Sequence, residues 1–385
     1  MTRRPVRVAV VGFGWMGRVH THAYTRVLHH FPQLDLRPEL TAIAEEVPGR
    51  AEEAAAQFGF AKTYADWRDI AADPGVDAVS ITAPNFLHRE IGVAMAEAGK
   101  HIWIEKPVGL TVDDARAVAS AVNDAGVQGT VGFNYRNAPA VEAARRMIAE
   151  GEIGTVTHAR IRLLSDYAAH PDGALTWRFE RARGGNGVLG DLASHGVDLA
   201  RFLLGDIAEL AADTAVFVPE RARPTGATAG HARSAGGALG PVENEDYVSC
   251  LLRFGSGARG VLEACRVSVG EQNNYGFAVH GMQGALFWDF RRMGELGISR
   301  GSAYQDQPVS TVYIGPGSGE YAAFQPGAGL SMGYDDLKVI EAYHFLRSIS
   351  EGRPHGASVD DAVHSAAALD AMAESAANGT WVKLS

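Results

Sequence analysis

Apolar and polar positions follow two different habits along this chain. From residue 6 to about 135, short strings that are apolar almost throughout ("VRVAVVG", "ELTAIAE", "DAVSITAP", "HIWIEKP", "VQGTVGFNY") are separated by segments with helical spacing at 15–30, 48–58, 86–98 and 113–125. Strands buried on both faces need no polar alternation, and a strand–helix alternation builds a parallel sheet covered on both sides. The spacing then predicts a linking helix over 139–151. Beyond it, strands succeed one another directly: "TVTHARIRLL", "ELAADTAVFV", "DYVSCLLRF", "GARGVLEACRV", "YGFAVHG" and "GALFWDF". Turns as short as "FGSG" and "HGMQG" join some of them, which marks a mostly antiparallel sheet in an α+β domain. The Gly-rich, aperiodic stretch 221–241 is expected as a long surface loop, and helices return at 335–350 and 359–377. The predicted organisation is a doubly wound α/β domain over 1–135 and an α+β domain over 136–385.

Composition narrows the partners. The 385 residues exceed what one hydrophobic core fills, and 46% hydrophobic with 21% charged residues describes an ordinary globular chain. A formal net charge of -10 argues against nucleic acid and anionic membrane surfaces, both of which demand basic faces. No apolar run reaches the roughly 18 residues of a membrane span, and "MTRRPVRVAVVGFG" reads as a first strand rather than an export signal, so a cytoplasmic protein is expected. Cys250 and Cys265 are expected as reduced core thiols. With no H-E-x-x-H, C-x-x-C or G-x-S-x-G, neither a metal site nor a nucleophilic triad is expected.

The chemistry begins at "VAVVGFGWMG", where Gly12, Gly14 and Gly17 form G-x-G-x-x-G between a strand and a helix. Gly12 permits the tight turn, Gly14 admits a pyrophosphate to the backbone, and Gly17 lets helix and strand pack closely, with the helix N-terminus favouring the anion. Phe13, Trp15 and Met16 belong to the same cofactor loop. Glu45, at the end of the second strand, is the candidate for the adenosine ribose hydroxyls; followed by Glu46, it would repel a 2′-phosphate, so NAD is expected over NADP. Pro84, Asn85 and His88 lie at a strand's carboxyl end, where such sheets bind ligands, although Asn85 would serve equally as a helix cap. Glu105 and Lys106 close the next strand and complete the cofactor candidates.

"GGNGVLGDLASHGVDLARFLLGD" predicts an amphipathic helix on which Asp191, His195 and Asp198 share one face beside an apolar stripe. His195 could be a satisfied core histidine, and Lys106 a charge escaping to solvent. Together they suit alcohol oxidation: an imidazole takes the hydroxyl proton, a fixed cation stabilises the resulting oxygen, and a carboxylate orients either.

The segments "GFGWMG", "DAVSITAPNFLH", "AGKHIWIEKPVGLT", "GFNYRNAPA" and "GVLGDLASHGVDLARFLLG" resemble the Gfo/Idh/MocA oxidoreductases, the glucose-fructose oxidoreductase and inositol dehydrogenase group. The resemblance implies a Rossmann domain followed by a domain whose large antiparallel sheet serves as an oligomer interface, and hence a homodimer or homotetramer. It implies a catalytic lysine at Lys106, an aspartate at Asp191, a histidine base at His195 and a cis-proline at Pro107 that aims the lysine. Glu45 stands where the family usually carries aspartate. "LLSDYAAHPDGALTWRF", "GPVENEDYV" and "NNYGF" resemble the levoglucosan dehydrogenase-like and glycoside 3-dehydrogenase members, which makes Tyr135, Arg136, Asp166, Tyr167, Trp177, Arg178 and Asn274 candidate sugar contacts beside Lys106, Asp191 and His195. The implied activity is NAD-dependent oxidation of a ring hydroxyl of a sugar, glycoside or anhydrosugar, at C3. An inositol dehydrogenase, an NAD-dependent glycosidase and a non-catalytic dinucleotide sensor are the rival expectations.

Overall fold

A computed structural model describes residues 3–224, 233, 234 and 236–384. The chain divides into two compact units, Met1–Asn134 with Gly333–His364, and Tyr135–Met332 with Ser365–Ser385.

In the first unit, β1 (Arg4–Val11), β2 (Leu36–Ala44), β3 (Lys62–Tyr64), β4 (Ala78–Ile81), β5 (His101–Ile104) and β6 (Gly129–Val131) form one sheet in the order β3-β2-β1-β4-β5-β6. Every pairing is parallel. The order reverses between β1 and β4, and the crevice at such a switch point is where open α/β sheets bind ligands. Val8, Val10, Val79, Ile102 and Ile104 are wholly buried, as strands covered on both faces require. The covering helices are α1 (Trp15–His30), α2 (Arg50–Phe58), α3 (Trp67–Ala72), α4 (His88–Glu97) and α5 (Val112–Asp124). β3 and α3 are additions to the expected pattern; three residues at a sheet edge, two of them exposed, carry no apolar signal.

Residues 333–364, expected within a second domain running to 385, group with the first unit. Within this segment α9 (Tyr334–Glu351) packs along α1. Phe31 stacks on Tyr343 at 3.9 Å, and Arg26 pairs with Asp336 at 2.6 Å. Nothing in the helix's sequence pattern names its partner.

The second unit holds α6 (Pro139–Ala149), α7 (Arg181–Gly184), α8 (Ser194–Leu204) and most of α10 (Val359–Asn378). Its main sheet comprises β7 (Val156–Leu164), β8 (Ile207–Ala215), β11 (Tyr247–Phe254), β12 (Arg259–Cys265), β13 (Asn274–Gly281), β14 (Gly284–Asp289), β15 (Glu295–Arg300), β16 (Ser310–Tyr313) and β17 (Val382–Lys383). The order is β16-β15-β14-β13-β7-β12-β11-β8-β17, antiparallel except where β7 meets β12. Ala159, Ile161 and Leu163 alternate with more open neighbours, so one face makes the core. α8 lies directly on that face: a Cβ at Gly196 would stand 2.5 Å from Leu163 and 2.9 Å from Leu262. The expected 221–241 loop contains a short ribbon instead, β9 (Glu220–Ala222) against β10 (Leu239–Pro241); its residues 225–232 and 235 lie outside the described residues. Cys250 and Cys265 are buried free thiols.

Candidate functional site

In the first unit the candidates begin at the loop between β1 and α1. Gly12 has φ +83, and a Cβ there would press on the Ala83 backbone at 3.0 Å. Gly17 faces the Gly12 carbonyl oxygen, which a Cβ would meet at 2.3 Å, while at Gly14 a Cβ would meet nothing within 4 Å. Two glycines thus shape the turn, and the third leaves open space at the start of α1, where a dinucleotide's pyrophosphate would be stabilised by backbone amides. The Phe13 ring packs inward against Phe58 and Phe60, so only its backbone serves the loop. Trp15 is 68% exposed and stacks on Tyr334 at 5.2 Å; the Tyr334 hydroxyl reaches the Met16 sulfur at 3.7 Å.

Glu45 is fastened to this loop. Its Oε2 accepts the Phe13 amide at 2.6 Å, its Oε1 accepts the Val47 amide at 3.1 Å, and Arg50 stands 3.6 Å away. A fixed carboxylate at the end of β2 fits the two ribose hydroxyls of NAD and opposes an added phosphate.

At the ends of β4 and β5 the sequence candidates separate. Pro84 and Asn85 are half-buried, and α4 starts behind Leu87 without a side-chain cap, so Asn85 is not its N-cap. His88 is 1% exposed, and its ring nitrogens face the Pro107 and Ala83 carbonyl oxygens at 2.8 Å each. It clamps two turns together. Burial lowers its pKa, against the pull of those two carbonyls. The Lys106–Pro107 peptide is cis. Glu105 turns inward, with Oε1 held by His20 at 2.9 Å and Lys338 at 2.5 Å.

In the second unit the candidates lie on α8 and the turn before it. Leu189–Ala193 is a π-helical turn, a wider coil frequent at functional positions, and it carries Asp191. Tyr167 donates a short hydrogen bond to Asp191 Oδ2, and Arg178 faces Oδ1 at 3.7 Å. Burial, then the Asp191 charge, holds the Tyr167 pKa well above its ordinary value, so the phenol keeps its proton and remains a donor. His195 is 7% exposed beneath the edge of Tyr135, with ring centroids 4.7 Å apart. Tyr135 in turn meets Tyr275 and Phe290 at 5.5 and 5.0 Å. Asp191 lies within the π turn, while His195 and Asp198 lie together on α8. Asp198 is buried and grips Arg136 through both oxygens, making Arg136 an anchor for α8.

Asn274 accepts from Arg162 at 2.7 Å, Asp166 accepts from Gln272 at 3.1 Å, and Trp177 lies under the Arg178 guanidinium at 4.7 Å. Two supports escaped the sequence reading. Asn244 donates to the carbonyls of Arg178 and Gly185 at 2.8 and 3.1 Å, and Glu245 accepts the Leu189 amide at 3.1 Å, capping the π turn. Their signal was the dense "ENED" run entering a strand, a poor place for exposed charge. Among the described residues no cluster of metal-ligating side chains occurs, and no helix is long and apolar enough to cross a membrane.

Residues 6–133 match the family model described as oxidoreductase family, NAD-binding Rossmann fold, and 141–287 match the GFO/IDH/MocA C-terminal domain. The chain is 38% identical over 380 residues to levoglucosan dehydrogenase of Pseudarthrobacter phenanthrenivorans, covering 98% of this chain and 97% of that protein. It is 29% identical to inositol 2-dehydrogenase of Rhizobium meliloti, covering 90% and 98%. Among solved structures, levoglucosan dehydrogenase in complex with NADH and levoglucosan superimposes with TM-score 0.92 at 37% identity, covering 99% of both chains.

Proposed function

Because this chain belongs to the Gfo/Idh/MocA family of NAD-binding oxidoreductases, we propose that it oxidises a secondary ring hydroxyl, at C3, of a sugar, glycoside or anhydrosugar of the levoglucosan type. The observation that carries this reading is Asp191: a quarter-exposed carboxylate held by Tyr167 and Arg178, one turn before His195. NAD bound at the glycine loop supplies the hydride acceptor. His195 takes the hydroxyl proton, a task suited to imidazole near neutral pH. Lys106 stabilises the charge that develops on the oxygen. Asp191, with both oxygens already oriented, positions the imidazole and a neighbouring hydroxyl. Trp177 and Tyr167 supply apolar ring faces for the sugar's C–H groups, and Arg178 and Asp166 bind its hydroxyls.

Replacing Lys106 by Met or His195 by Asn tests the assignment. Each is expected to lower kcat by about 10²–10⁴-fold with NADH binding retained; unchanged turnover in either removes that residue from the mechanism. A cyclitol is the second reading, favoured by the likeness to inositol 2-dehydrogenase, and a panel of inositols beside glycosides and levoglucosan separates the two.

We further propose a cytoplasmic homo-oligomer that pairs through the second unit's sheet. Leu251 and Val261 oppose one another across β11 and β12 and are 52% and 41% exposed, the kind of apolar surface a second copy covers. Light scattering reporting a monomer at working concentration would refute the pairing.

A further inference from the structure

Behind β5 the first unit buries a charged cluster. Lys338 of α9 is fully buried, with Nζ 2.5 Å from Glu105 Oε1 and 2.8 Å from Glu341 Oε2. His20 of α1 stacks on Trp103 at 3.5 Å and reaches the same Glu105 oxygen at 2.9 Å. Its other nitrogen faces Ser80 at 3.1 Å, and Ser80 meets the Tyr24 hydroxyl at 3.0 Å. A carboxylate only accepts, so His20 Nε2 carries the proton and Ser80 donates to Nδ1. Burial pushes the His20 pKa down to about 4, consistent with a neutral ring. Burial opposes the Lys338 charge, but Glu105 and Glu341 outweigh it and raise its pKa; Glu105 is likewise held ionised by Lys338 and His20 against its own burial.

Such a pair is weak evidence of stability, because an apolar pair of similar volume avoids the desolvation cost. Its place in the chain suggests another role. Glu105 is the residue before Lys106; its amide donates to Ile81 at 3.0 Å, and its carboxylate occupies the space a Cβ on Gly132 would take, 2.6 Å away. Pro107, on the other side of Lys106, is held through its carbonyl by His88. Both neighbours of the lysine are pinned.

We propose that Lys338 is a positioning residue for the reaction: by gripping Glu105 it fixes the turn from which Lys106 acts. The inference rests on the role given to Lys106 above. α9 thereby supplies to the site, from 233 positions away, a constraint that the Rossmann segment does not contain itself.

The test is the triple variant Glu105→Gln/Lys338→Met/Glu341→Gln, which removes all three charges of the cluster, nearly conserves volume and leaves no buried carboxylate without its lysine. The expected result is a folded enzyme with NADH affinity within about threefold of the parent, kcat lowered by roughly 10–100-fold, and an increased primary deuterium isotope effect on kcat as hydride transfer becomes limiting. A folded triple variant with kcat within about twofold of the parent overturns the proposal. Should it not fold, Lys338→Arg keeps a positive charge against Glu105 and Glu341 but replaces the compact ammonium by a wider planar guanidinium, which displaces the Glu105 carboxylate. It is expected to lower kcat by about 3–10-fold at unchanged NADH affinity, and parental kcat overturns the proposal. Lys106→Met, run alongside, separates the two claims. If that variant turns over normally, the role of Lys106 fails; if it is inactive while the triple variant is not, only the positioning role fails.

Discussion

The three glycines of the first loop lend themselves to a contrast between two alanine variants. At Gly14 a Cβ meets nothing within 4 Å, and the backbone, φ -72 and ψ -158, is open to any residue. Gly14→Ala forfeits an N-cap preference of about 0.5–1 kcal/mol and regains a similar amount by restricting the unfolded chain, so stability should shift by less than about 1 kcal/mol. The methyl group, however, fills the space through which a pyrophosphate reaches the amides. Losing two charge-assisted hydrogen bonds costs about 3 kcal/mol or more, which raises the NADH Kd by roughly 100-fold or more. Gly17→Ala differs. Its Cβ would stand 2.3 Å from the Gly12 oxygen, 3.2 Å from the Gly12 carbonyl carbon and 3.2 Å from the Thr82 hydroxyl, which itself donates to Gly12 at 2.6 Å. Either α1 or the turn must move by about 1 Å, an overpacking cost of about 1–3 kcal/mol that appears as a Tm lowered by several degrees. Thermal melts and NADH titration by fluorescence, run on both variants, read the two effects separately. A Gly14→Ala protein that binds NADH within about threefold of the parent would refute the placement of the pyrophosphate.

Three other outcomes follow from single contacts. Arg136→Met leaves Asp198 buried and without its guanidinium, so unfolding free energy should fall by about 3–5 kcal/mol; adding Asp198→Asn should recover part of it, as a denaturant titration of both variants would show. Tyr167→Phe removes the hydroxyl that orients Asp191 and should lower kcat by about 10–100-fold with little change in Tm; steady-state kinetics with the best substrate decide it. The His20 pKa lies at about 4 when folded against an ordinary 6.5, so the unfolded chain takes the proton first. Stability from this group is complete above pH 6.5 and is lost as pH falls toward 4, by about 3 kcal/mol, a slope that urea midpoints at pH 7 and 4.5 should show and that His20→Phe should lack.

The strands of the first unit were legible because burial on both faces leaves unbroken apolar strings, and the loop glycines because each meets a separate steric demand. β3 was not legible: "KTY" at an edge carries no apolar signal. β15 and β16 were missed for a related reason, since short strands of mixed polarity near a sheet edge look like the loops around them. Lys106 and His195 stood out as polar side chains beside apolar runs. Glu105 was assigned to the cofactor because it sits at a strand end, yet its carboxylate faces Lys338, a partner no local pattern reveals. The same limit hid Asn244 and Glu245. The π turn at Leu189–Ala193, which holds Asp191, and the Arg136 partner of Asp198 left no mark in the α-helical spacing of the sequence.

The most direct measurement follows the hydride itself. The native enzyme, given NAD and a levoglucosan-type anhydrosugar carrying deuterium at C3, is predicted to form NADH labelled at nicotinamide C4, with label and ketone product appearing in equal amounts. Turnover that yields unlabelled NADH would contradict oxidation at C3, and no NADH from any sugar, glycoside or cyclitol offered would contradict the proposed dehydrogenase reaction.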